Sequence, residues 1–445
     1  MPKILQTATA LLALILPCSA ASNPTLTTLY SFTDLADGGF PEAGLVLGAG
    51  GSLFGTTSTS GTGWGSVFKL TPSQTGGWTE QTLYTFTGGA DGGIPHSDLI
   101  IGKNNVLYGT TEIGGAHGYG TVFQVAPSNG TWTEKVLYSF AGGADGANPE
   151  AGVTLLSSNG VLYGTTYNGG TAGMGTVFEV IPSVNGWSEK VLYNFKGGSD
   201  GANPVADLTL SSTGALYGTT YQGGSVTITN SPPSCTTTTP CVYTNWGVVF
   251  QVSPQGGGVW TETVLYTFTG GSDGGSPESA LIIGPNGVLY GSTFWGGTPT
   301  PCSVGGYPQG CGTIYQLAPP QGGGTTWTQT VLHTFTGSSP DGAHPYLNLA
   351  LNSTSGALFG TTFAGGANVD VCAPEAYDGC GSIFSVKPPK TPGGSWTKSN
   401  IIVFPGTPGA GSPNGLILKT GGTMYGTTVV GGGAGGFGTV YQLTQ

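Results

Sequence analysis

Arginine is absent from the 445-residue chain, and ten lysines stand against 21 acidic residues. Charged residues make up only 7% of the sequence and the formal net charge is −11. That composition excludes nucleic acid as a partner, because neutralising phosphates needs clustered cations. No apolar run is long enough to span a membrane. No stretch of useful length carries a helical period, which removes the helical fold classes. Standard catalytic and metal signatures are also missing. No GK[ST] follows the glycines, no GxSxG elbow is present, and no CxxC spacing or histidine accompanies the cysteines.

Glycine and proline are plentiful instead, at 84 and 30 residues, a level that without periodicity would indicate disorder. The N-terminus carries Lys3, an apolar run from Ala8 to Leu16 and then "PCSAAS". Residues 1–21 therefore read as a signal peptide with cleavage near Ala20 or Ala21, and the mature protein as secreted, extracellular or periplasmic. A lipid anchor on Cys18 is disfavoured because Pro17 stands where a small residue belongs. Six further cysteines fall in three close groups, Cys235 with Cys241, Cys302 with Cys311, and Cys372 with Cys380. The grouping favours three local disulfides, which an oxidising compartment would preserve.

Periodicity decides the class. "LFGTT", "LYGTT" or a close variant begins at Leu53, Leu107, Leu162, Leu216, Leu289, Leu358 and Met424. A "GTVF"-like phrase follows each, starting at Gly65, Gly120, Gly175, Gly247, Gly312, Gly381 and Gly438. A third phrase of the kind "WTEKVLYSF" comes next, and a fourth begins at Pro41, Pro95, Pro149, Pro204, Pro277, Pro345 or Pro413. Each is a short run of β-branched and aromatic residues bounded by turn formers, so each unit holds four strands. Such units suit an all-β, seven-bladed β-propeller with four-stranded blades.

Charges concentrate in the "WTEKVLYSF" strand (Glu80, Glu134, Lys135, Glu189, Lys190, Glu262), as expected of an outer edge that must resist pairing with other chains. The proline strand, rich in small residues, suits the innermost position. Blades then cover residues 41–86, 95–140, 149–195, 204–268, 277–335, 345–404 and 413–445, within one domain over 22–445. The last blade lacks an outer strand, and "TLTTLYSF" at residues 25–32 supplies it, closing the ring.

These phrases resemble the GloVer-type tandem repeats of exported bacterial proteins, a family expected to form β-propellers. The resemblance runs from Thr25 to Gln445 and rests on LYGTT followed by GG and GTVF. It implies a fold and no activity. Members often end in a surface-sorting anchor, whereas this chain ends on a blade strand, so free secretion is the expectation.

Topology places the Asp-Gly turns and the loops between second and third strands on one face. Asp37, Asp91, Asp145, Asp200, Asp273 and Asp341 recur in those turns. Aspartate before glycine caps a turn through its own backbone, a reading preferred over calcium ligation by Asp91, Asp145, Asp200 or Asp273. No cofactor is expected. The loops are long in units four, five and six, where the cysteines lie, and suggest a built-up wall beside the channel mouth. Two residue sets could line that mouth. After "GTT" come Ser58, Glu112, Tyr167, Tyr221, Phe294, Phe363 and Val429, with Trp295 beside Phe294. The aromatics Tyr167, Tyr221, Phe294, Trp295 and Phe363 could stack on sugar rings. After the proline come Glu42, His96, Glu150, Val205, Glu278, Tyr346 and Asn414, and two residues further Asp98, Asp207 and Asn348; by period two these take one side of the inner strand, while Leu45, Leu99, Leu208, Leu281 and Leu349 take the other.

The expected function is a secreted, monomeric binding module for a glycan or protein surface on the rim of blades three to six. One alternative is a lyase or glycan-cleaving enzyme using Glu42, Glu150, Glu278 and His96. The other is a purely structural surface protein.

Overall fold

The computed structural model describes residues 23–224 save 62, 245–297, 302–304, 307–308, 310–366 save 323, 379–404 save 392, and 410–444 save 434. The segment expected to be a signal peptide, Cys235, Cys241 and Cys372 lie outside the described residues.

Seven antiparallel sheets form the blades, four-stranded save that in the sixth the inner strand is split into Ala343–Pro345 and Ala350–Leu351. In the third blade, Thr154–Leu156, Val161–Thr166, Thr176–Ser183 and Gly186–Asn194 run from the axis outward. The expected strand order holds in every blade. The seventh is completed by Thr25–Ser31, which pairs with Thr439–Thr444 in the register Thr25↔Thr444 to Ser31↔Thr439. Phe32 N–H then donates to Gly438 O at 3.0 Å. The innermost strand is shorter than the proline-led runs suggest. In blades one to five it begins five residues after the proline and lasts two or three residues, as at Val46–Leu47.

Each letter of LYGTT has a packing duty. Its glycine leaves room for the aromatic of the third strand: a Cβ on Gly164 would lie 2.5 Å from Phe178, and one on Gly55 would lie 2.6 Å from Phe68. That aromatic is in turn met edge-on by the phenylalanine ending the previous blade's outer strand. Phe32–Phe68, Phe86–Phe123, Phe140–Phe178, Phe195–Phe250, Phe268–Tyr315, Phe335–Phe384 and Phe404–Tyr441 have ring centroids 5.0 to 5.5 Å apart. Such pairs contribute about 0.5–1.5 kcal/mol each beyond the area they bury. The first threonine reaches the next blade, as when Thr110 donates to Ala151 O at 2.7 Å and Thr427 to Ala43 O at 2.8 Å. The second threonine bonds the start of its own third strand, as in Thr57–Ser66 and Thr111–Thr121.

The third-strand glycine differs. At Gly438 φ is +94°, and a Cβ would meet Thr428 O at 2.4 Å and Pro41 of the first blade at 2.5 Å. The residue before this glycine covers the next turn: Trp64 lies over Gly88, Tyr119 over Gly142, and Trp246 over Gly270. In blades five and six that position is Cys311 and Cys380, both fully buried. Cys311 is bonded to Cys302, with Cα atoms 5.2 Å apart, and Cys380 is also disulfide-bonded.

Gly438→Ala and Gly436→Ala separate strain from closure. Both sites have positive φ, but nothing lies within 4 Å of a Cβ at Gly436. Gly438→Ala is expected to cost about 1–3 kcal/mol more than Gly436→Ala in denaturant unfolding, the usual overpacking range; equal costs would mean that the Gly438–Pro41 contact does not hold the ring.

Candidate functional site

The residue before each proline has a left-handed backbone in all seven blades, although none is glycine: Phe40, Ile94, Asn148, Asn203, Ser276, His344 and Ser412 have φ between +49° and +57°. Such a conformation costs roughly 1–2 kcal/mol for an ordinary residue and persists only where its surroundings enforce it. Here the enforcing groups are backbone. The N–H of Ile94 donates to Trp64 O of the previous blade, and its carbonyl accepts from Glu112 N–H of its own blade. The same pair of bonds recurs at Asn148 with Tyr119 and Tyr167, and at Asn203 with Met174 and Tyr221. The reversal therefore sets the residue after each proline beside the residue after "GTT".

Both sets converge on the axis. A cavity of about 410 Å³ is lined by Glu42, His96, Glu150 and Glu278 from the first set and Glu112, Tyr167 and Tyr221 from the second, with Asp98, Asp207, Tyr346 and Asn348. A second cavity of about 340 Å³ shares Glu42, Glu278 and Tyr346 and adds Phe294, Phe363 and Asn414. The structure thus brings together Glu42, His96, Glu150, Glu278, Tyr167 and Tyr221, with Phe294 and Phe363 in the adjoining space. Trp295 lines neither cavity. It is buried against His344, 4.6 Å between centroids, and the Phe294 ring stacks on the same imidazole at 4.6 Å.

Asp98, Asp207 and Asn348 form the deeper layer. Each accepts the N–H three residues after the preceding blade's proline: Gly44 to Asp98 and Gly152 to Asp207 at 2.6 Å, and Ala280 to Asn348 at 3.0 Å. Asn348 Nδ2 also donates across to Asp98 Oδ2 at 3.0 Å. Burial pushes the carboxyls of both aspartates up, and the charge of Asp98 helps raise Asp207 to about 7.

His96 is held by two carboxylates, through Nδ1 to Glu42 Oε2 and Nε2 to Glu112 Oε2, the latter at 2.9 Å. Burial alone would lower its pKa, but the bonds to Glu112 and Glu42 override it and raise it to about 10. The hydrogen bond from His96 lowers the Glu112 carboxyl. His96 is therefore an imidazolium at neutral pH and no general base. Burial, followed by the charge of Glu112, raises Glu150 to about 7, and burial followed by Glu150 raises Glu278 to about 8. A protonated carboxyl in such a site can donate a proton or a hydrogen bond.

The rim aspartates are turned to structure. Tyr84 Oη, Thr87 N–H and Thr87 Oγ1 all donate to Asp91, at 2.9, 2.9 and 2.5 Å. Asp145, Asp200 and Asp273 accept the equivalent tyrosine and backbone donors. The main backbone partner lies four residues before the aspartate rather than beyond it. Among the described residues no cluster of three or more His, Cys, Asp or Glu side chains has metal-binding geometry.

Residues 18–230 match the family model described as the Gloeobacter/Verrucomicrobia repeat. That stretch carries the repeat. Copies with the same LYGTT and GTVF phrases continue beyond residue 230 to the C-terminal blade. No curated protein matches the sequence. Among solved structures, a protein of unknown function from Dyadobacter fermentans is 10% identical, with 94% of this chain and 96% of that chain covered and a TM-score of 0.44. A PQQ-bound aldose sugar dehydrogenase from Streptomyces coelicolor is 11% identical over 95% and 98% of the two chains, at 0.40. A luciferin-regenerating enzyme is 11% identical over 84% and 98%, at 0.41. Likeness at this level says nothing about what the repeat chain binds.

Glu112 and Tyr346 stood in the two residue sets expected to line the mouth but not among the catalytic or stacking candidates, and both line the cavity. The signal for Glu112 was its place after "GTT", where it is the one acidic residue.

Two outcomes are expected. The His96 ring protons should titrate in NMR well above pH 8, with the associated stabilisation complete below about 6.5 and lost as pH rises through about 10. A midpoint near 6.5 would remove the clamp. Ile94→Asn should raise stability by roughly 0.5–1 kcal/mol, because asparagine tolerates the left-handed backbone better than a β-branched side chain. An unchanged or lower melting midpoint would show that Ile94 packing outweighs its strain.

Proposed function

We propose that this propeller binds a neutral or cationic carbohydrate in the axial cavity. The observation that carries this reading is the convergence of Glu150 and Glu278 with the rings of Tyr167, Tyr221 and Tyr346 around about 410 Å³. Carboxyl groups exchange hydrogen bonds with vicinal hydroxyls, and tyrosine faces stack on the apolar faces of sugar rings. As pH rises through 7 to 8 and Glu150 and Glu278 ionise, the lining becomes acidic and repels anionic ligands. The original aromatic set is thereby narrowed: Tyr167 and Tyr221 belong to the cavity, Phe294 and Phe363 to its neighbour, and Trp295 to their support. Export through the residue 1–21 segment would place such a module outside the cytoplasm, where glycans are presented.

A second reading is general acid catalysis of glycan cleavage. It is favoured by the placing of buried Glu278 with Glu150 in one cavity, where burial and then the charge of Glu150 raise the Glu278 carboxyl to about 8. On that reading Glu278 or Glu150 is the acid, while His96 and Glu42 position their neighbours.

A glycan array with the mature protein, followed by calorimetry, tests the proposal. Binding of neutral or amino sugars is expected, with sialylated and uronic acid glycans rejected. Tyr221→Ala should weaken binding roughly tenfold, on the order of 1.4 kcal/mol. Silence across the array would overturn the binding reading, and product release from a bound glycan, abolished in Glu278→Gln, would favour the second.

A further inference from the structure

The side chain two residues after each outer-strand tryptophan lies at one register: Glu80 opposite Leu70, Glu134 opposite Val125, Glu189 opposite Val180, Glu262 opposite Val252, Gln329 opposite Leu317 and Lys398 opposite Val386. In blades five and six this slot holds a hydrogen-bond donor aimed at the Asp-Gly turn of the seam with the preceding blade. Gln329 Nε2 donates to Asp273 O at 3.1 Å, and Lys398 Nζ to Asp341 O at 2.6 Å and Asp341 Oδ1 at 2.8 Å. In blades one to four the slot holds glutamate. An ionised glutamate has no donor, and Oε1 of Glu134, Glu189 and Glu262 is buried with no partner. A buried acceptor left in that state is costly, whereas a protonated carboxyl supplies the donor that the slot uses elsewhere.

We propose that Glu80, Glu134, Glu189 and Glu262 are neutral carboxylic acids that donate to the Asp-Gly turns, so that four adjacent seams of the ring are locked by protons. These seams join the seventh blade to the first and then successive blades as far as the fourth.

Charged groups face each of the four slots. Asp37 acts on Glu80, Asp91 on Glu134, Asp145 and Glu179 on Glu189, and Asp200 on Glu262. Thr82 donates to Glu80 Oε1 at 3.1 Å, Lys190 pairs with Glu179 at 3.7 Å, and Lys196 pulls Glu262 down. Tyr30, Tyr84, Tyr138 and Tyr193 bond the same aspartates and are themselves pushed up, so they stay neutral. Burial, the largest cause in each case, raises Glu80, Glu134 and Glu262 to about 7 and Glu189 to about 8. A raised pKa gives stabilisation that is complete below the unfolded value near 4.5 and is lost as pH climbs through 7 to 8. The ring is thus tightest in acid. Loss of these protons in alkali loosens the arc that supplies Glu42, His96, Glu150 and Tyr221 to the cavity.

Thermal unfolding of the full mature chain at pH 5, 7 and 9 tests this, comparing wild type with the quadruple variant E80Q/E134Q/E189Q/E262Q. Gln329 shows that the slot accepts glutamine. The wild-type midpoint should fall by on the order of 5 °C from pH 5 to 9, after discounting for partial exposure. The variant should keep its pH 5 midpoint to within about a degree and lose a clear share of that slope, the remainder belonging to His96 and the cavity carboxyls. The cavity variant E150Q/E278Q should retain the share that the quadruple variant loses, which separates the seams from the cavity carboxyls. A quadruple variant with the wild-type slope would overturn the proposal. If that variant fails to fold, carboxyl ¹³C titration of the wild-type glutamates decides: midpoints near 7 sustain the proposal and midpoints near 4.5 refute it.

Discussion

A ring of seven identical contacts holds the molecule together: a phenylalanine of one blade meeting, edge-on, an aromatic of the next that lies over a glycine. The contact fixes blade spacing, since the aromatic can lie flat against the second strand only where no Cβ intervenes. Blade spacing in turn determines whether the first threonine of LYGTT reaches the neighbouring carbonyl, and whether the third-strand glycine meets the following proline. In blades five and seven the ring is tyrosine, and the hydroxyls of Tyr315 and Tyr441 are buried without a partner. Shape has been kept there at the expense of a polar atom.

The fold was legible because repetition converts weak local signals into strong ones. A single "LYGTT" is compatible with many structures; seven copies with seven "GTVF" partners leave little but a ring of small sheets. Glu134 and Glu189 identified the outer strand as residues expected to protect an edge, although their carboxyls turn inward to the seams. Ring closure was legible as a missing strand at one end and a spare one at the other.

The site was legible as two residue sets and not as a constellation. Period-two alternation predicted that Glu42 and His96 face the axis while Leu45 and Leu99 face the core, and the leucines are buried. It carried no sign that His96 would sit between Glu42 and Glu112, since Glu112 lies on a different strand and reaches the mouth only through the left-handed reversal at Ile94. Nor could alternation tell Trp295 from Phe294, because which of two adjacent aromatics faces a cavity depends on the His344 ring between them. Loop cysteines read as staples for long insertions, yet Cys311 and Cys380 also fill the position that tryptophan, tyrosine or methionine takes in the first four blades.

Pairing of Thr25–Ser31 with Thr439–Thr444 imposes an order in time. The two strands are separated by nearly the whole chain, so this contact has the highest contact order in the fold and the largest loop entropy to overcome. Blades one to six can form from neighbouring sequence as it becomes available, but the first ordered strand has no sheet to join until the last residues arrive. Until then the seventh blade is an open edge, and another chain's 25–31 segment could add to it as readily as its own. Closing from within depends on the other six blades already holding both ends near one another.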